Sequence, residues 1–217
     1  MKVFNGGKLS VIVCALLLVA GLWTPSARAQ RYGLGDVPLD EQTYKAYMRQ
    51  WEEQYTDALP SSYDARTYGY VTSPKNQGAC GSCWAFASVG AFESHLLKQY
   101  GGSAQDLSEQ QLVSCDINNG GCCGGSSSAL RFWETRGPIP ESCGPYGEGA
   151  TSCPTQRGVS CSSFSSCPQL SSHVTGFYTV PNDPAQMKTS LYNDGPSYWR
   201  FTVYSDFDTF WGSAAPG

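Results

Sequence analysis

Histidine is scarce in this chain of 217 residues, which contains only His95 and His173. Imidazole is a common ligand of protein-bound transition metals, so this scarcity argues against a histidine-based metal site. Long runs of lysine and arginine are also missing, and the formal net charge is −4. Because nucleic-acid binding needs a basic patch, we expect no nucleic-acid partner. We expect no metal and no other cofactor.

Long hydrophobic runs are missing as well. The mostly apolar stretch at residues 9–22 spans only ~21 Å as a helix, which is short of the ~30 Å hydrocarbon core of a membrane. Two lysines precede it, and the small-x-small pattern Ala27-Arg28-Ala29 follows it. We therefore predict that residues 1–29 are a secretory signal peptide rather than a membrane anchor. The expected location is extracellular, periplasmic or lysosome-like, without a stable membrane span after signal cleavage.

Cysteine, in contrast, is abundant, with ten residues in the chain. Removal of the signal peptide would take Cys14 away and leave nine in an oxidising compartment, where disulfides form. An odd number implies at least one thiol without an intramolecular disulfide partner. The identity of that cysteine is the central question.

A polar segment at residues 30–59 separates the predicted signal peptide from a Gly- and Cys-rich portion. Aromatic residues spaced three and four apart behind Asp40 predict one amphipathic helix, and they are Tyr44, Tyr47, Trp51 and Tyr55. Leu59-Pro60 interrupts the pattern. We interpret 30–59 as a short pro-segment or merely the first helix, and 60–217 as one globular domain.

Two helices are predicted early in that domain. Ser82 is expected to be the N-cap of a helix that runs to about Tyr100 and stops at Gly101-Gly102. Ser108 and Gln111 predict a capping box at the start of the second.

The remaining segments alternate between short elements and loops. Helices are predicted at about 127–136 and 184–193, and residues 201–204 predict a strand. Residues 138–172 carry four cysteines without any hydrophobic period, so we expect a loop-rich region held by disulfides.

The strongest chemical signal is residues 76–86, Asn-Gln-Gly-Ala-Cys-Gly-Ser-Cys-Trp-Ala-Phe. This segment places Cys83 in the first turn of the predicted helix. The N–H groups and dipole at a helix N-terminus stabilise a thiolate, which is the nucleophilic form of cysteine. Gln77 lies in the same loop, and its amide can donate to an oxyanion that forms beside the sulfur, together with the Cys83 N–H.

These residues resemble the signature of the papain-like cysteine peptidases, in which Gln precedes Cys-Gly-Ser-Cys-Trp at the start of a helix. The resemblance covers residues 60–207. Further matching segments, in the family's order, are Pro60-x-x-x-Asp64-Ala65-Arg66, Leu107 to Asp116, Gly121-Cys122-Cys123-Gly124-Gly125, and Gly195-Pro196 leading into Phe201-Thr202-Val203-Tyr204. The resemblance implies an α+β, two-part fold with the nucleophile helix in a helical half. The β-rich half is only begun in this chain, and the active cleft lies between the halves.

The resemblance also implies roles for individual residues. Cys83 would be the nucleophile of a secreted, thiol-dependent peptidase, and Gln77 the oxyanion donor. Gly81, Gly124 and Gly125 would line the cleft, where missing side chains let an extended peptide pair with the backbone. We expect a peptide or protein substrate and a monomeric enzyme.

A disulfide framework follows from the same resemblance. It suggests Cys80 with Cys122, and Cys115 with a later cysteine, Cys153. Cys161 and Cys167 are close enough in sequence to close a small loop, which leaves Cys143 and Cys123 as candidates for a fourth bridge. This framework leaves Cys83 as the thiol.

A general base is the missing part of the predicted site. The family places its His and Asn roughly 130–150 residues beyond the nucleophile, which is a window of about 213–233 here. His95 lies ~18 Å from Cys83 along the same predicted helix, too far for proton transfer. His173 precedes the family's base position. We therefore expect the His and Asn partners to lie beyond residue 217 and this chain alone to be poorly active or inactive.

Arg200 bears on specificity. Aligned without gaps from Gly195-Pro196, it falls where the family usually has a small residue in the wall of the main specificity pocket, and Ser126 and Ser127 replace bulkier neighbours. A cationic pocket predicts an acidic side chain at the second residue before the cut. If the register is off by one, Arg200 points outward instead.

Two other functions stay open on the sequence. Cys80 and Cys83 form a Cys-x-x-Cys at a helix start, as in dithiol oxidoreductases. A papain-like scaffold that binds peptides without cleaving them is the second alternative. Replacement of Cys80 separates the first of these from a peptidase, which would lose mainly a disulfide.

Overall fold

A computed structural model describes residues 39–43, 58–147, 158–171 and 174–201. The α-helices in these ranges are α1 (Cys83–Tyr100), α2 (Glu109–Cys115), α3 (Phe132–Thr135) and α4 (Pro184–Asn193), and the 3-10 helices are Ala65–Tyr68, Ser127–Arg131 and Cys161–Phe164. Isolated bridges join Gly81 with Cys123 and Leu107 with Pro140. None of the helices described is both long enough and apolar enough to cross a membrane.

Helix α1 has the predicted ends. Gly101 stops it with a φ of 66°, and the Gly101 N–H donates to Leu97 O at 2.9 Å. Ser82 is the N-cap residue, but its side chain makes no capping hydrogen bond. The Ser82 hydroxyl is directed away from the helix end, to the hydroxyl of Tyr146 at 2.7 Å.

Only half of the predicted capping box at α2 forms. Ser108 Oγ accepts from Gln111 N at 3.0 Å. The reciprocal bond, from the Ser108 N–H to the Gln111 side chain, does not form, because Ser108 N donates to Ile139 O at 3.0 Å instead. The Gln111 side chain instead donates to Gly137 O at 3.1 Å and accepts from Trp133 Nε1 at 3.0 Å. Gly137 and Trp133 are both buried, so the Gln111 side-chain amide satisfies a carbonyl and an indole N–H that have no access to water.

The later helices differ from the predictions in detail. The one expected at about 127–136 is a 3-10 helix followed by the single turn of α3. Helix α4 begins as predicted, with Asp183 Oδ1 accepting from Ala185 N at 3.0 Å and Gln186 N at 2.9 Å. Of the predicted strand, residues 202–204 lie outside the described residues.

The start of the helix predicted behind Asp40 is present. Residues 41–43 are helical, and Asp40 Oδ1 accepts from Thr43 N at 2.9 Å. The aromatic positions that predicted this helix lie outside the described residues.

The core forms where α1 packs against α2 and the segment around α3. Its large side chains include Trp84, Val89, Phe92, Leu112 and Trp133. The rings of Phe92 and Trp133 are 5.3 Å apart. Burial of this apolar face keeps α1 rigid, and α1 carries Cys83 at its N-terminus.

The disulfides agree with the suggested framework at one place and correct it at others. The structure pairs Cys80 with Cys122, Cys115 with Cys161 and Cys143 with Cys167. The suggested pairs Cys115–Cys153, Cys161–Cys167 and Cys143–Cys123 are therefore wrong. Cys123 is also disulfide-bonded, and Cys153 lies outside the described residues.

Packing explains the corrected pairs. The 3-10 helix that begins at Cys161 lies against α2, which brings the Cα atoms of Cys115 and Cys161 within 4.9 Å. Cys167 lies beside the turn that contains Cys143, with a Cα separation of 5.8 Å. One short segment thus contacts two separate parts of the helical region, which spacing along the sequence did not indicate.

Candidate active site

Cys83 occupies the first position of the 18-residue helix α1. It is half-buried and keeps its thiol. The first turn of α1 has no acidic side chain, so no carboxylate competes with a thiolate for the positive end of the helix dipole. This position favours the nucleophilic form of cysteine.

The loop before α1 holds the amide of Gln77 in place. Gln77 Nε2 donates to Cys80 O at 2.9 Å, and the same carbonyl accepts from Ser82 N at 2.8 Å. The bond fixes the plane of the half-buried amide, whose nitrogen carries two hydrogens.

A disulfide and a backbone bridge attach this loop to the neighbouring glycine-rich segment. Cys80 is bonded to Cys122, and Gly81 N donates to Cys122 O at 3.1 Å. Because Cys80 and Gly81 immediately precede the helix, these links fix the N-terminus of α1.

A cluster of ion pairs around Lys75, with two buried glutamates, anchors the other end of the loop. Lys75 Nζ lies 3.1 Å from Glu93 Oε1, 2.8 Å from Asp106 Oδ1 and 2.9 Å from Glu109 Oε1. Only 1% of each glutamate side chain is exposed. Sequence reasoning missed this cluster, since its members are far apart in the chain.

Burial and charge act in opposite directions in this cluster. Burial raises the pKa of Glu109 to about 7, although Lys75 works to lower it. Burial works to lower the pKa of Lys75, but its hydrogen bonds to Asp106 and Glu109 raise that pKa above the ordinary value. Glu109 Oε2 is buried and has no hydrogen-bond partner in the part of the chain that the structure describes.

Tyr146 is a second residue that sequence reasoning missed. Its hydroxyl donates to Gln77 O at 2.8 Å and contacts Ser82 Oγ at 2.7 Å. Tyr146 belongs to the loop-rich region without hydrophobic period, so no local pattern pointed to it.

The two later glycines of the predicted cleft are buried. Gly124 has a φ of 103°, a conformation that favours glycine. At Gly125, an added Cβ would lie 2.5 Å from Trp84 Cδ2. The fold itself therefore favours glycine at both positions, and substrate binding by Gly124 and Gly125 stays a prediction.

Arg200 is exposed and lines a groove of about 1170 Å³ together with Ser127, Leu130 and His95. Cys83 and Gln77 do not line this groove. The structure thus brings together Arg200 and Ser127, both of which the sequence placed near a specificity pocket.

The described residues contain one histidine, His95. It is exposed and lies on α1, with Nδ1 3.4 Å from Asp194 O. Twelve residues of helix, ~18 Å, separate it from Cys83. His173 lies outside the described residues. In the described ranges, no group of three or more His, Cys, Asp or Glu side chains is arranged to hold a metal ion.

Comparison with known proteins agrees with this geometry. The model of the family "Papain family cysteine protease" matches residues 59–214. The chain belongs to the papain family of cysteine proteases. Cathepsin K of Gallus gallus is 40% identical over 128 residues, which cover 57% of this chain and 37% of cathepsin K.

Solved papain-family structures show the same fold. Bromelain of Ananas comosus, in complex with the E64 inhibitor, is 34% identical with a TM-score of 0.53, and the match covers 62% of this chain and 58% of bromelain. Digestive procathepsin L2 of Tenebrio molitor is 28% identical with a TM-score of 0.57, covering 77% and 52% of the two chains. The fold is therefore papain-like, and its described residues form the helical part. The chain spans well under half the length of the curated cathepsin that it matches.

Family membership and the disulfide at Cys80 argue together against the oxidoreductase alternative. The sulfur of Cys80 is bonded to Cys122, 42 residues away. A dithiol oxidoreductase would need Cys80 and Cys83 to exchange electrons with each other.

Proposed function

We propose that this papain-family protein is a secreted, thiol-dependent peptidase in which Cys83 is the nucleophile and Gln77 is the oxyanion donor. The observation that carries the proposal is the Cys83 thiol at the first position of α1. The loop directly before α1 holds the Gln77 amide, whose Nε2 donates to Cys80 O at 2.9 Å. A nucleophile and an oxyanion donor on one rigid support are the two parts that acyl transfer needs first.

The proposed chemistry forms and breaks one bond to carbon at each step. Cys83 Sγ attacks the scissile carbonyl carbon, and the oxygen accepts hydrogen bonds from Gln77 Nε2 and the Cys83 N–H. A general base takes the thiol proton and returns it to the leaving amine, and water then hydrolyses the thioester. Because His95 is too far along α1, we place that base outside the described residues.

The domain organisation belongs to the same proposal. Residues 1–29 act as the signal peptide, 30–59 as a short pro-segment, and the peptidase domain begins at residue 60. The three disulfides among the described residues support an oxidising compartment. The substrate is a peptide or protein, and the enzyme acts as a monomer.

Arg200 is proposed to select an acidic side chain at the second substrate residue before the cut. Two observations support this: Arg200 is exposed, and it lines the same groove as Ser127 and Leu130. A guanidinium in a groove pairs well with a carboxylate.

Selective alkylation tests the proposed nucleophile. At about pH 6, iodoacetamide is expected to modify Cys83 faster than it modifies glutathione, since a helix N-terminus stabilises the thiolate. Peptide mass spectrometry locates the label, and Cys83→Ser is the control. E64, which bromelain binds, is expected to compete for the same residue. Alkylation no faster than that of glutathione would contradict a nucleophilic role.

A further inference from the structure

Tyr146 connects the two parts of the proposed oxyanion site. Its hydroxyl donates to Gln77 O at 2.8 Å and lies 2.7 Å from Ser82 Oγ. A phenol has one hydrogen, and Gln77 O accepts it, so Ser82 Oγ is the donor in the second contact. The hydrogen bonds therefore run from the Ser82 hydroxyl to the Tyr146 hydroxyl and from there to Gln77 O.

The ring of Tyr146 is itself held in place. It packs edge-to-face on Phe86 with the ring centroids 4.8 Å apart. Phe86 follows Cys83 by three residues, so both lie on one face of α1. The backbone N–H of Tyr146 donates to Glu141 Oε1 at 2.6 Å. The hydroxyl thus reaches the loop from a ring that is held against the helix that carries the nucleophile.

Gln77 is consequently held at two points. Tyr146 binds its backbone carbonyl, and Cys80 O binds its side-chain amide at 2.9 Å. We propose that Tyr146 is a positioning residue of the oxyanion site, which locks the Gln77 loop to the N-terminus of α1 through the Ser82–Tyr146–Gln77 hydrogen bonds. This inference rests on the proposed role of Gln77 as oxyanion donor.

The physical reason lies in how an oxyanion site works. Its donors stabilise developing charge only if they are already oriented, so a loop that can move relative to the nucleophile loses part of the effect. Loss of the Tyr146 hydroxyl would let Gln77 O and the loop relax, while Cys83 keeps its place on α1. The expected defect is therefore specific to reactions in which a carbonyl carbon becomes tetrahedral beside Cys83 and its oxygen enters the oxyanion site.

The experiment compares two reactions of the Cys83 thiol in the full chain. In the first, a peptidyl aldehyde adds the S–H across its C=O group, which gives a hemithioacetal whose oxygen faces Gln77. In the second, iodoacetamide alkylates the sulfur with loss of iodide and of the thiol proton, and no carbonyl carbon becomes tetrahedral. Tyr146→Phe is expected to weaken aldehyde binding about 3- to 10-fold, as loss of one hydrogen bond does, and to leave the alkylation rate unchanged. Tyr100→Phe is the matched control, since Tyr100 is 80% exposed.

A double-mutant cycle with Gln77→Ala separates positioning from a merely structural effect. If Tyr146 acts through Gln77, the double variant binds the aldehyde no more weakly than Gln77→Ala alone. Unchanged aldehyde affinity in Tyr146→Phe, additive losses, or an equal fall in both reactions would each overturn the inference. Ser82→Ala is expected to show a smaller loss in the same direction, and it replaces Tyr146→Phe if that variant does not fold.

A second readout separates failure of this inference from failure of the proposed function. The side-chain amide signals of Gln77 in a ¹H–¹⁵N spectrum are identified by their loss in Gln77→Ala, and they are expected to shift or broaden in Tyr146→Phe. If the wild-type chain binds no aldehyde, the proposed function fails and these signals still decide the positioning role. Unchanged signals in Tyr146→Phe would overturn it.

Discussion

Gly125 lies so close to Trp84 that a Cβ atom at residue 125 would be 2.5 Å from Trp84 Cδ2. Trp84 follows Cys83 directly, is fully buried, and donates to Gly121 O at 3.0 Å. The close approach therefore sets the distance between the glycine-rich segment and the first turn of α1.

Gly125→Ala should destabilise the protein because the indole has no room to move within a packed core. Overpacking of this kind costs about 1–3 kcal/mol, measured as the change in the free energy of unfolding in urea. Gly90→Ala is the matched control: Gly90 lies inside α1 with nothing within 4 Å of an added Cβ. That variant should gain about 0.5–1 kcal/mol, since alanine is the better helix former. Equal effects of the two variants would contradict the packing account.

Removal of the Cys80–Cys122 disulfide is predicted to impair both stability and the proposed site. The double variant Cys80→Ala/Cys122→Ala should lose about 2–5 kcal/mol of unfolding free energy and bind a peptidyl aldehyde more weakly, because Cys80 O orients Gln77.

The control is the double variant Cys143→Ala/Cys167→Ala, which opens a bridge with a sequence separation of 24 residues. It should lose stability without a matching loss of aldehyde affinity once both are measured where the proteins are folded. If Cys80→Ala/Cys122→Ala instead abolishes a dithiol–disulfide exchange activity, the oxidoreductase alternative is correct.

Glu109 should make the protein less stable as the pH rises. Its pKa in the folded protein is about 7, above the ordinary value of 4.5. Between these values the folded state holds more protons than the unfolded state, so the free energy of unfolding falls with increasing pH. In Glu109→Gln this contribution is absent.

The test compares urea unfolding of wild type and Glu109→Gln at about pH 4.5 and about pH 7.5. Relative to wild type, Glu109→Gln is expected to gain on the order of 1–3 kcal/mol between the two pH values. Glu134→Gln, at an exposed position of α3, should show no such gain. A wild-type stability that rises relative to Glu109→Gln over this range would show that Lys75 outweighs burial.

The proposed specificity of Arg200 predicts a preference that one substitution reverses. Peptidyl aldehydes with Glu or Leu before the aldehyde-bearing residue are compared for binding to wild type. The Glu aldehyde should bind more tightly, and Arg200→Ala should reduce that preference by roughly 5- to 30-fold, as expected for a charge-assisted pair. Arg136→Ala, at another exposed arginine, is the control. A preference for Leu that is the same in wild type and Arg200→Ala would show that Arg200 points away from the substrate.

The sequence predicted the parts of the fold that local signals determine. Helix α1 follows from its hydrophobic face and from Gly101, whose positive φ ends it. Helix α4 follows from Asp183 and the proline after it. These signals lie within a few residues of the structure that they specify, so a single sequence is enough to find them.

Long-range contacts could not be predicted in the same way. The pairing of Cys115 with Cys161 depends on where a 3-10 helix packs. The Gln111 side chain accepts from the buried Trp133 Nε1 rather than from the N-terminus of its own helix. Tyr146 lies 69 residues from Gln77. No spacing rule links such residues, because only the packed chain brings them together.

The most direct test of the proposed Cys83–Gln77 site is the ¹³C spectrum of a peptidyl aldehyde, labelled at its carbonyl carbon, with the full chain. The account predicts a hemithioacetal signal with wild type, none with Cys83→Ser, and a signal that needs about 10-fold more aldehyde with Gln77→Ala, since one oxyanion donor is lost. Two results would contradict it: a wild-type spectrum that shows the unbound aldehyde and its hydrate without a hemithioacetal signal, or equal affinity in wild type and Gln77→Ala.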